Sequence, residues 1–300
     1  QISTGSGRGG QKLSTKYDDS LFEELKKLGF EDLDSISVYT VDENKHEDKE
    51  NKTVSEERNE LDALFDRKLI CPVCNSKITV RSVKSSSIRT LSRDSDFMIR
   101  YKDPNPLLYD VWVCQQCGYA ATSAQFNNIN DKQIKLIREK ICSKWNPKSY
   151  PPVFDLDTAI ERYKLALLNT IVKNGKISER ALLCLKIAWL NRLKKDAEDE
   201  KKFIYQALKG FLQSYEKESF PIAGLDEASL TYLIGELYRR LDDNTNALIW
   251  FGRVLSNPEA DNRIKDMARE QKYVINQQKK NIEHADPKEE IDDKVSYEKK

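Results

Sequence analysis

The sequence predicts an α+β protein in which a small β-rich domain precedes an all-α helical domain. Two C-x-x-C pairs, CPVC at 71–74 and CQQC at 114–117, stand among short runs of β-branched and aromatic residues, which are typical of strands. From about residue 156 to 282, apolar residues recur at intervals of three and four, as in helices with one buried face. The proline-rich segment NPKSYPPVFDLD (146–157) is predicted to link the two parts.

Composition excludes several classes of protein. The 300 residues include 50 basic and 49 acidic side chains, so no overall charge favours nucleic acid or an acidic membrane surface. No run approaches the roughly 20 apolar residues of a membrane helix, and the first residues lack the apolar region of a secretory signal. Paired C-x-x-C motifs suit a reducing compartment, so we expect a soluble cytoplasmic protein without membrane contact.

The two ends of the chain are predicted to be disordered. Residues 1–60 form an acid-rich extension, and residues 283–300 form a charged tail. Within the extension, LFEELKKLGF (21–30) has the apolar spacing of a short helix, which is the alternative for that stretch.

The predicted β-rich domain covers residues 61–145. Its strand segments lie around 78–88, 97–101 and 111–113, and DPNPLLYD (103–110) interrupts them as a loop. DKQIKLIREKICSKW (131–145) is predicted to begin a short helix at Asp131.

The predicted helical domain covers residues 146–282, and its first helix is expected to be capped by Asp157. One later helix pair has the small and aromatic residues of a tetratricopeptide repeat at nearly the right spacing: Gly235, Tyr238, Ala247, Phe251 and Val254. An earlier pair, with Ala188, Trp189, Ala207 and Phe211, has an excess of seven residues between its halves. The alternative is a generic helical bundle.

Four cysteines carry the strongest chemical signal: Cys71, Cys74, Cys114 and Cys117. Two residues between thiolates let both sulfurs and nearby backbone N–H groups face one point, and two such knuckles form the tetrahedral sulfur cage that zinc accepts. Asn75 and Gly118, which follow the two knuckles, are predicted to have positive φ. The sequence therefore predicts a structural Zn²⁺ site in a zinc-ribbon-like domain with a β-insertion.

Other uses of the cysteines stay open at this point. A redox dithiol needs only one C-x-x-C pair, and an iron–sulfur or rubredoxin-like iron site uses the same thiolates. No role is assigned to Cys142 or Cys184. The two histidines, His46 and His284, both lie in predicted tails, and four thiolates leave no open metal position, so no catalytic residue is predicted.

We call the region that holds the four cysteines, from CPVC to residue 121, the cysteine block. It resembles a family of uncharacterised bacterial proteins, DUF2225. The resemblance rests on CPVC, on RDSDF (93–97) and on NPLLYDVWVCQQCGYAA (105–121), with AWLNRL (188–193), YLIGELYRRL (232–241) and ALIWFGRVLSNP (247–258) in agreement. It covers about residues 65–275 and implies a cytoplasmic bacterial protein with a zinc-ribbon-like part and a tetratricopeptide-like part. It implies no activity, and nothing carries over to residues 1–60.

Two further groups of residues are candidates for binding. A basic strip in the insertion could contact nucleic acid, although a solvated face is the preferred interpretation; its residues are Lys77, Arg81, Lys84 and Arg89. A polar cluster near the second knuckle could hold a ligand or a partner, although a structural role is preferred; its residues are Arg93, Asp94, Asp96, Asn105, Tyr109 and Asp110.

The sequence thus favours a non-enzymatic scaffold that binds a protein or peptide in the groove of its paired helices. The alternative is a nucleic-acid-binding module that uses the basic strip, and an enzyme is the least favoured class.

Overall fold

The computed structural model describes residue 29 and residues 60–285, with side chains to residue 280. Six strands in this part form three antiparallel pairs: β1 (Leu64–Ile70) with β2 (Lys77–Val83), β3 (Arg89–Arg93) with β4 (Ile99–Lys102), and β5 (Val111–Val113) with β6 (Ala120–Thr122). The predictions for the rest of residues 1–59, including the helix at 21–30, and for residues 286–300 lie outside the described residues.

Seven helices follow the strands in the described part of the chain. They are α1 (Asp131–Ile137), α2 (Leu156–Val172), α3 (Ile177–Lys194), α4 (Ala197–Lys217), α5 (Glu227–Arg240), α6 (Asn244–Ser256) and α7 (Asn262–Ala285). A π-helical turn, Arg138–Cys142, continues α1. Small antiparallel sheets followed by helices confirm the predicted α+β class.

The first hairpin shows why the sequence folds locally as it does. In β2, Ile78 and Val80 are buried while Lys77 and Thr79 are exposed, because alternate side chains of a strand point to opposite faces. Ile78 is paired with Leu69 of β1. The hairpin thus places one apolar face toward the core and ends at the first cysteine knuckle.

Helix starts are fixed by polar side chains that accept a hydrogen bond from the third residue along. Asn130 caps α1 in this way, and Asp196, Asp226 and Asp243 cap α4, α5 and α6. For α2 the cap is Asp155, which accepts from the Thr158 N–H at 2.7 Å, so the expectation that Asp157 caps this helix is wrong.

Consecutive helices pack as neighbours, with α3 against α4 and α5 against α6. Gly235 of α5 lies so close to α6 that a Cβ there would stand 2.9 Å from the Phe251 ring. This is the close approach that a tetratricopeptide spacing requires. The repeat assignment itself stays a prediction.

One hydrophobic core joins the cysteine block to the first helices. It includes Val73 and Tyr119 beside the knuckles, Leu167 of α2, Leu185 of α3 and Phe211 of α4. A second cluster lies among α5, α6 and α7. The position of the knuckles is therefore fixed by packing against α2 as well as by their own strands.

We also searched the described helices for a membrane span. None of them combines the length and the apolar content needed to cross a bilayer.

Candidate metal centre

The first knuckle is the turn between β1 and β2. The Cys71 N–H donates to the Ser76 carbonyl at 3.0 Å, and the Asn75 N–H donates to the Cys71 carbonyl at 2.9 Å. Asn75 has φ 61°, as predicted, which is the left-handed conformation that closes such a turn. The backbone N–H groups of Val73 and Cys74 face the Cys71 sulfur and lower the pKa of its thiol, although thiol–thiol contacts outweigh them.

The second knuckle has the same construction between β5 and β6. The Cys114 N–H donates to the Tyr119 carbonyl at 2.8 Å, and the Gly118 N–H donates to the Cys114 carbonyl at 2.9 Å. Gly118 has φ 73°, again as predicted, and a Cβ there would stand 2.6 Å from the Trp145 ring. Glycine is therefore required at this position both by the backbone conformation and by the ring above it.

The two knuckles bring their four sulfurs to one point. The Cys71 and Cys117 sulfurs are 3.8 Å apart, those of Cys74 and Cys114 are 3.6 Å apart, and all four lie within 4.8 Å of one another. A tetrahedral site with metal–sulfur bonds of about 2.3 Å has sulfurs about 3.8 Å apart. The geometry therefore fits a metal ion held by four thiolates.

The thiols perturb each other strongly. The pKa of the Cys114 thiol is lowered, first by hydrogen bonds from Cys117 and Cys71 and then by backbone N–H groups of its own turn. The pKa values of the Cys71 and Cys117 thiols are raised, chiefly by their hydrogen bonds to Cys114. A metal binds the deprotonated thiolates. A divalent cation would therefore stabilise the negative charge of four thiolates at such short distances from one another.

The segment from α1 to Trp145 contacts both knuckles, which the sequence did not predict. At the first knuckle, the Arg138 guanidinium donates to the Val73 carbonyl at 2.8 Å. At the second knuckle, the Trp145 indole donates to the Gln115 carbonyl at 2.9 Å. The pKa of the Cys142 thiol, at the end of the π-turn, is lowered chiefly by its interaction with Cys117. No spacing rule connects these residues to the knuckles, because the contacts depend on how the chain returns to them.

The structure divides the predicted polar cluster into two groups. Asp94 and Asp96 lie in the turn between β3 and β4, which packs on α3 and α5. Asp96 is fully buried; its carboxylate accepts from Arg192 at 2.5 Å and from the Trp189 indole at 3.0 Å, and Arg240 lies 3.4 Å away. Asp94 accepts from Arg100 at 2.7 Å and from Arg192 at 2.8 Å.

The same network extends to a second buried carboxylate. Glu236 of α5 is fully buried and accepts from Ser95, Arg239 and Arg240 at 2.6 to 2.9 Å. Phe97, at φ 69°, places its ring 5.4 Å from that of Tyr232. We call residues 94–98 the docking turn, because their ionic and aromatic contacts hold the β3–β4 hairpin on the helices.

Burial alone would raise the pKa of Asp96. The hydrogen bond from Arg192 and the charges of Arg240 and Arg192 outweigh that effect, so the pKa is lowered. The pKa of Asp94 is lowered for the same reason by Arg100 and Arg192. Both carboxylates are therefore ionised at neutral pH and matched by arginines.

The other members of the predicted cluster have separate partners. Asn105 caps a short 3₁₀ turn by accepting from the Leu107 N–H, and the Tyr109 hydroxyl donates to Glu60 at 3.0 Å. Asp110 accepts from Lys186 at 2.6 Å and from Ser123 at 2.8 Å. Arg93 is exposed at the end of β3. Asp110 thus joins the cysteine block to α3, and none of these four residues forms a hydrogen bond or an ion pair with Asp94 or Asp96 among the described residues.

The predicted basic strip is largely engaged by the chain itself. Arg81 pairs with Asp66 at 2.7 Å and donates to the Pro152 carbonyl, Lys84 donates to the Asp62 carbonyl, and Arg89 donates to Ser86 and Ile88 carbonyls. Lys77 is exposed on β2. Arg81, Lys84 and Arg89 are thus engaged by neighbouring groups of the chain, whereas Lys77 is exposed.

Comparison with known proteins identifies the family. No curated protein and no solved structure matches this chain. The sequence model of one family, described as an uncharacterized protein conserved in bacteria (DUF2225), matches residues 64–275. That span holds both knuckles, the docking turn and the helices into α7, and it covers well over half of the sequence, so the chain belongs to the DUF2225 family.

Proposed function

We propose that the chain is a non-enzymatic cytoplasmic scaffold, in which a structural zinc ion holds the cysteine block and the helical part binds a protein partner. Soft thiolate donors in a closed four-ligand shell favour zinc. Such a shell leaves no position for a substrate or an activated water, so the metal supports the fold. Free thiols in paired motifs suit a reducing compartment.

The docking turn limits which surface of the helices a partner could contact. Trp189 and Arg192 of α3, with Tyr232, Glu236 and Arg240 of α5, already contact residues 94–97. The face shared by α3 and α5 is therefore covered by the chain's own hairpin. A partner bound through the helices would use surface that lies beyond that contact.

The observation that supports the proposal is an aromatic patch formed by α4, the segment after it and α6. Tyr215 packs edge-on against Phe220 and Trp250, with ring centroids 5.8 and 5.4 Å away, and the Arg253 guanidinium lies 4.3 Å from the Trp250 ring. Phe220 is 38% exposed, and Ile249, four residues before Arg253 on the same helix face, is 51% exposed.

This composition is typical of a binding surface. Aromatic residues and arginine are enriched in interface centres, and apolar side chains grouped at a surface mark contact sites more often than scattered ones do. We define the patch as Tyr215, Phe220, Ile249, Trp250 and Arg253; of these, Trp250 is only 8% exposed and packs against Tyr215 and Arg253 from the core side.

The test is association with a partner identified by cross-linking and mass spectrometry, followed by reconstitution from purified components. Ile249→Asp with Phe220→Asp is expected to weaken the complex at least tenfold without changing metal content. Leu91→Asp is the matched control, because Leu91 is 67% exposed on β3, away from the patch.

A complex that resists both patch changes would overturn this assignment. An association that instead falls steeply with salt and is lost in Arg81→Gln, Lys84→Gln and Arg89→Gln together would favour the nucleic-acid alternative.

A further inference from the structure

We infer that the cavity between β2 and residues 150–154 binds the phosphate group of a small molecule. This inference is independent of the scaffold role proposed above. The cavity measures about 490 Å³, within the range of sites for small ligands. Its walls come from β2, from the second knuckle, from α2 and from the segment 150–154 that precedes α2.

The central observation is a buried arginine without a carboxylate. Arg162 of α2 lines the cavity and is only 4% exposed. Its Nη2 donates to the Val111 carbonyl at 2.5 Å, and its Nε, itself a buried atom, has no hydrogen-bond partner among the described residues. The neighbouring Glu161 pairs with Lys148 at 2.6 Å, and no described carboxylate forms an ion pair with Arg162.

Two rings hold the guanidinium in place. Its carbon lies 4.0 Å from the Phe154 ring centroid and 4.9 Å from that of Tyr150. Stacking of this kind orients the guanidinium and stabilises its charge only in part. Burial lowers the pKa of Arg162 to about 10, so the group is still positive at neutral pH. A buried positive charge with an unpaired N–H is costly, and a bound anion would reduce that cost by pairing with it.

The rest of the lining favours an anion with more than one charge. Lys77 and Arg81 join Arg162 in the walls, against the single carboxylate of Asp66, so the lining carries a net charge of +2. Arg81 is paired with Asp66. Lys77, exposed at the start of β2, is therefore the cation best placed to meet the outer part of a ligand.

Phosphate suits these donors better than a single carboxylate does. A guanidinium binds phosphate oxygens in a planar, two-point contact, and a second cation can share the remaining charge. Gln115, between the cysteines of the second knuckle, adds a polar wall. Lys77 and Arg81, two residues of the predicted basic strip, thus line a cavity of a size that suits a small metabolite.

Calorimetric titration of the full-length, metal-loaded protein tests the inference. The probes are inorganic pyrophosphate and ADP, with citrate as a carboxylate of comparable charge. We expect saturable binding of one pyrophosphate or ADP per chain, with citrate at least tenfold weaker. Lys77→Gln should weaken pyrophosphate binding roughly fivefold to tenfold, whereas Lys102→Gln, the same change on β4 outside the cavity, should have no effect.

Arg162→Lys, which keeps the charge but loses the two-point contact, should weaken binding further than Lys77→Gln does. Circular dichroism and metal content show whether Arg162→Lys folds. If this variant does not fold, the affinity of Lys77→Gln for pyrophosphate decides whether the inference holds. The inference is overturned by absence of binding, by equal affinity in Lys77→Gln, by equal affinity for citrate, or by an oligonucleotide that binds without competition from pyrophosphate.

Discussion

Arg192 of α3 and Asp96 of the docking turn are 96 positions apart in the chain, yet they form a nearly dry ion pair. The Arg192 Nη2 lies 2.5 Å from the Asp96 carboxylate, which is fully buried, and the Arg192 side chain is 11% exposed. This pair connects the insertion between the two metal knuckles directly to the helices.

Removing the charge of Asp96 should destabilise the protein. In Asp96→Asn, Arg192 stays buried with Asp94 and Glu200 as its remaining acidic partners. Breaking a buried pair typically costs 3 to 5 kcal/mol. We expect about 3 kcal/mol here, because those two partners remain, measured as the free energy of unfolding in urea.

Asp66→Asn provides the control for that measurement. Its pair with Arg81 is partly exposed, at 45% for Asp66, and exposed pairs contribute about 0 to 1 kcal/mol. An equal loss of stability in the two variants would show that the docking turn does not hold the hairpin as described.

The Asp96 contribution should also depend on pH. The pKa of Asp96 in the folded protein is below its ordinary value of 3.8, so its stabilising effect is complete above that pH and is lost as the pH falls through the folded pKa. The stability difference between the wild type and Asp96→Asn should therefore be constant from pH 7 to about 5 and shrink below about 4.

Comparing the two proteins cancels the acid loss of metal, which both share. Urea unfolding at steps of pH gives the difference directly. A difference that does not change between pH 7 and pH 3 would contradict an ionised, paired Asp96.

Metal content should follow the four cysteines. We expect one zinc ion per chain in native, untagged protein, and loss of it in Cys71→Ser and in Cys114→Ser, measured by mass spectrometry of the metal. Because binding energy at such sites is folding energy, both variants should also lose ordered structure in the cysteine block. Cys184→Ala is the control, since Cys184 is buried within α3, apart from the four-sulfur site.

Iron in the native protein would contradict the assignment of zinc, although not the four-sulfur site. Retention of metal in Cys71→Ser would contradict the site itself.

Two glycines in one helix pair should respond in opposite directions to alanine. Gly235→Ala places a Cβ 2.9 Å from the ring of Phe251, which is fully buried, so the packing between the helices must shift and we expect a loss of about 1 to 3 kcal/mol. The Cβ of Gly252→Ala in α6 meets no described residue within 4 Å, so this variant should gain about 0.5 to 1 kcal/mol from helix propensity. Thermal unfolding of both variants distinguishes a close helix contact from a general effect of alanine.

The metal site could be predicted because its rules are local. Two residues between cysteines, with Asn75 and Gly118 at the positions that require positive φ, define each knuckle without knowledge of the rest of the fold. The cap of α2 was misplaced because Asp155 and Asp157 both satisfy the local rule, and only the packing of the helix start distinguishes them.

The contacts of the docking turn could not be predicted in this way. Asp96 was recognised as a candidate by its residue type, but no spacing links it to Arg192 or Arg240. Arg162 was missed for a different reason: α2 is buried on most of its surface, so its apolar pattern has no clear polar face on which an arginine would be noticed.

The order in which the chain is synthesised gives the docking turn a further consequence. The ribosome synthesises Asp96 well before Arg192 of α3. Glu236 and Arg240, which both belong to α5, are synthesised later still. A carboxylate cannot leave water cheaply before its cations exist. On a nascent chain the hairpin must therefore remain undocked until α3, which carries Arg192, has left the ribosome, and its contacts with Glu236 and Arg240 can form only after α5 has followed.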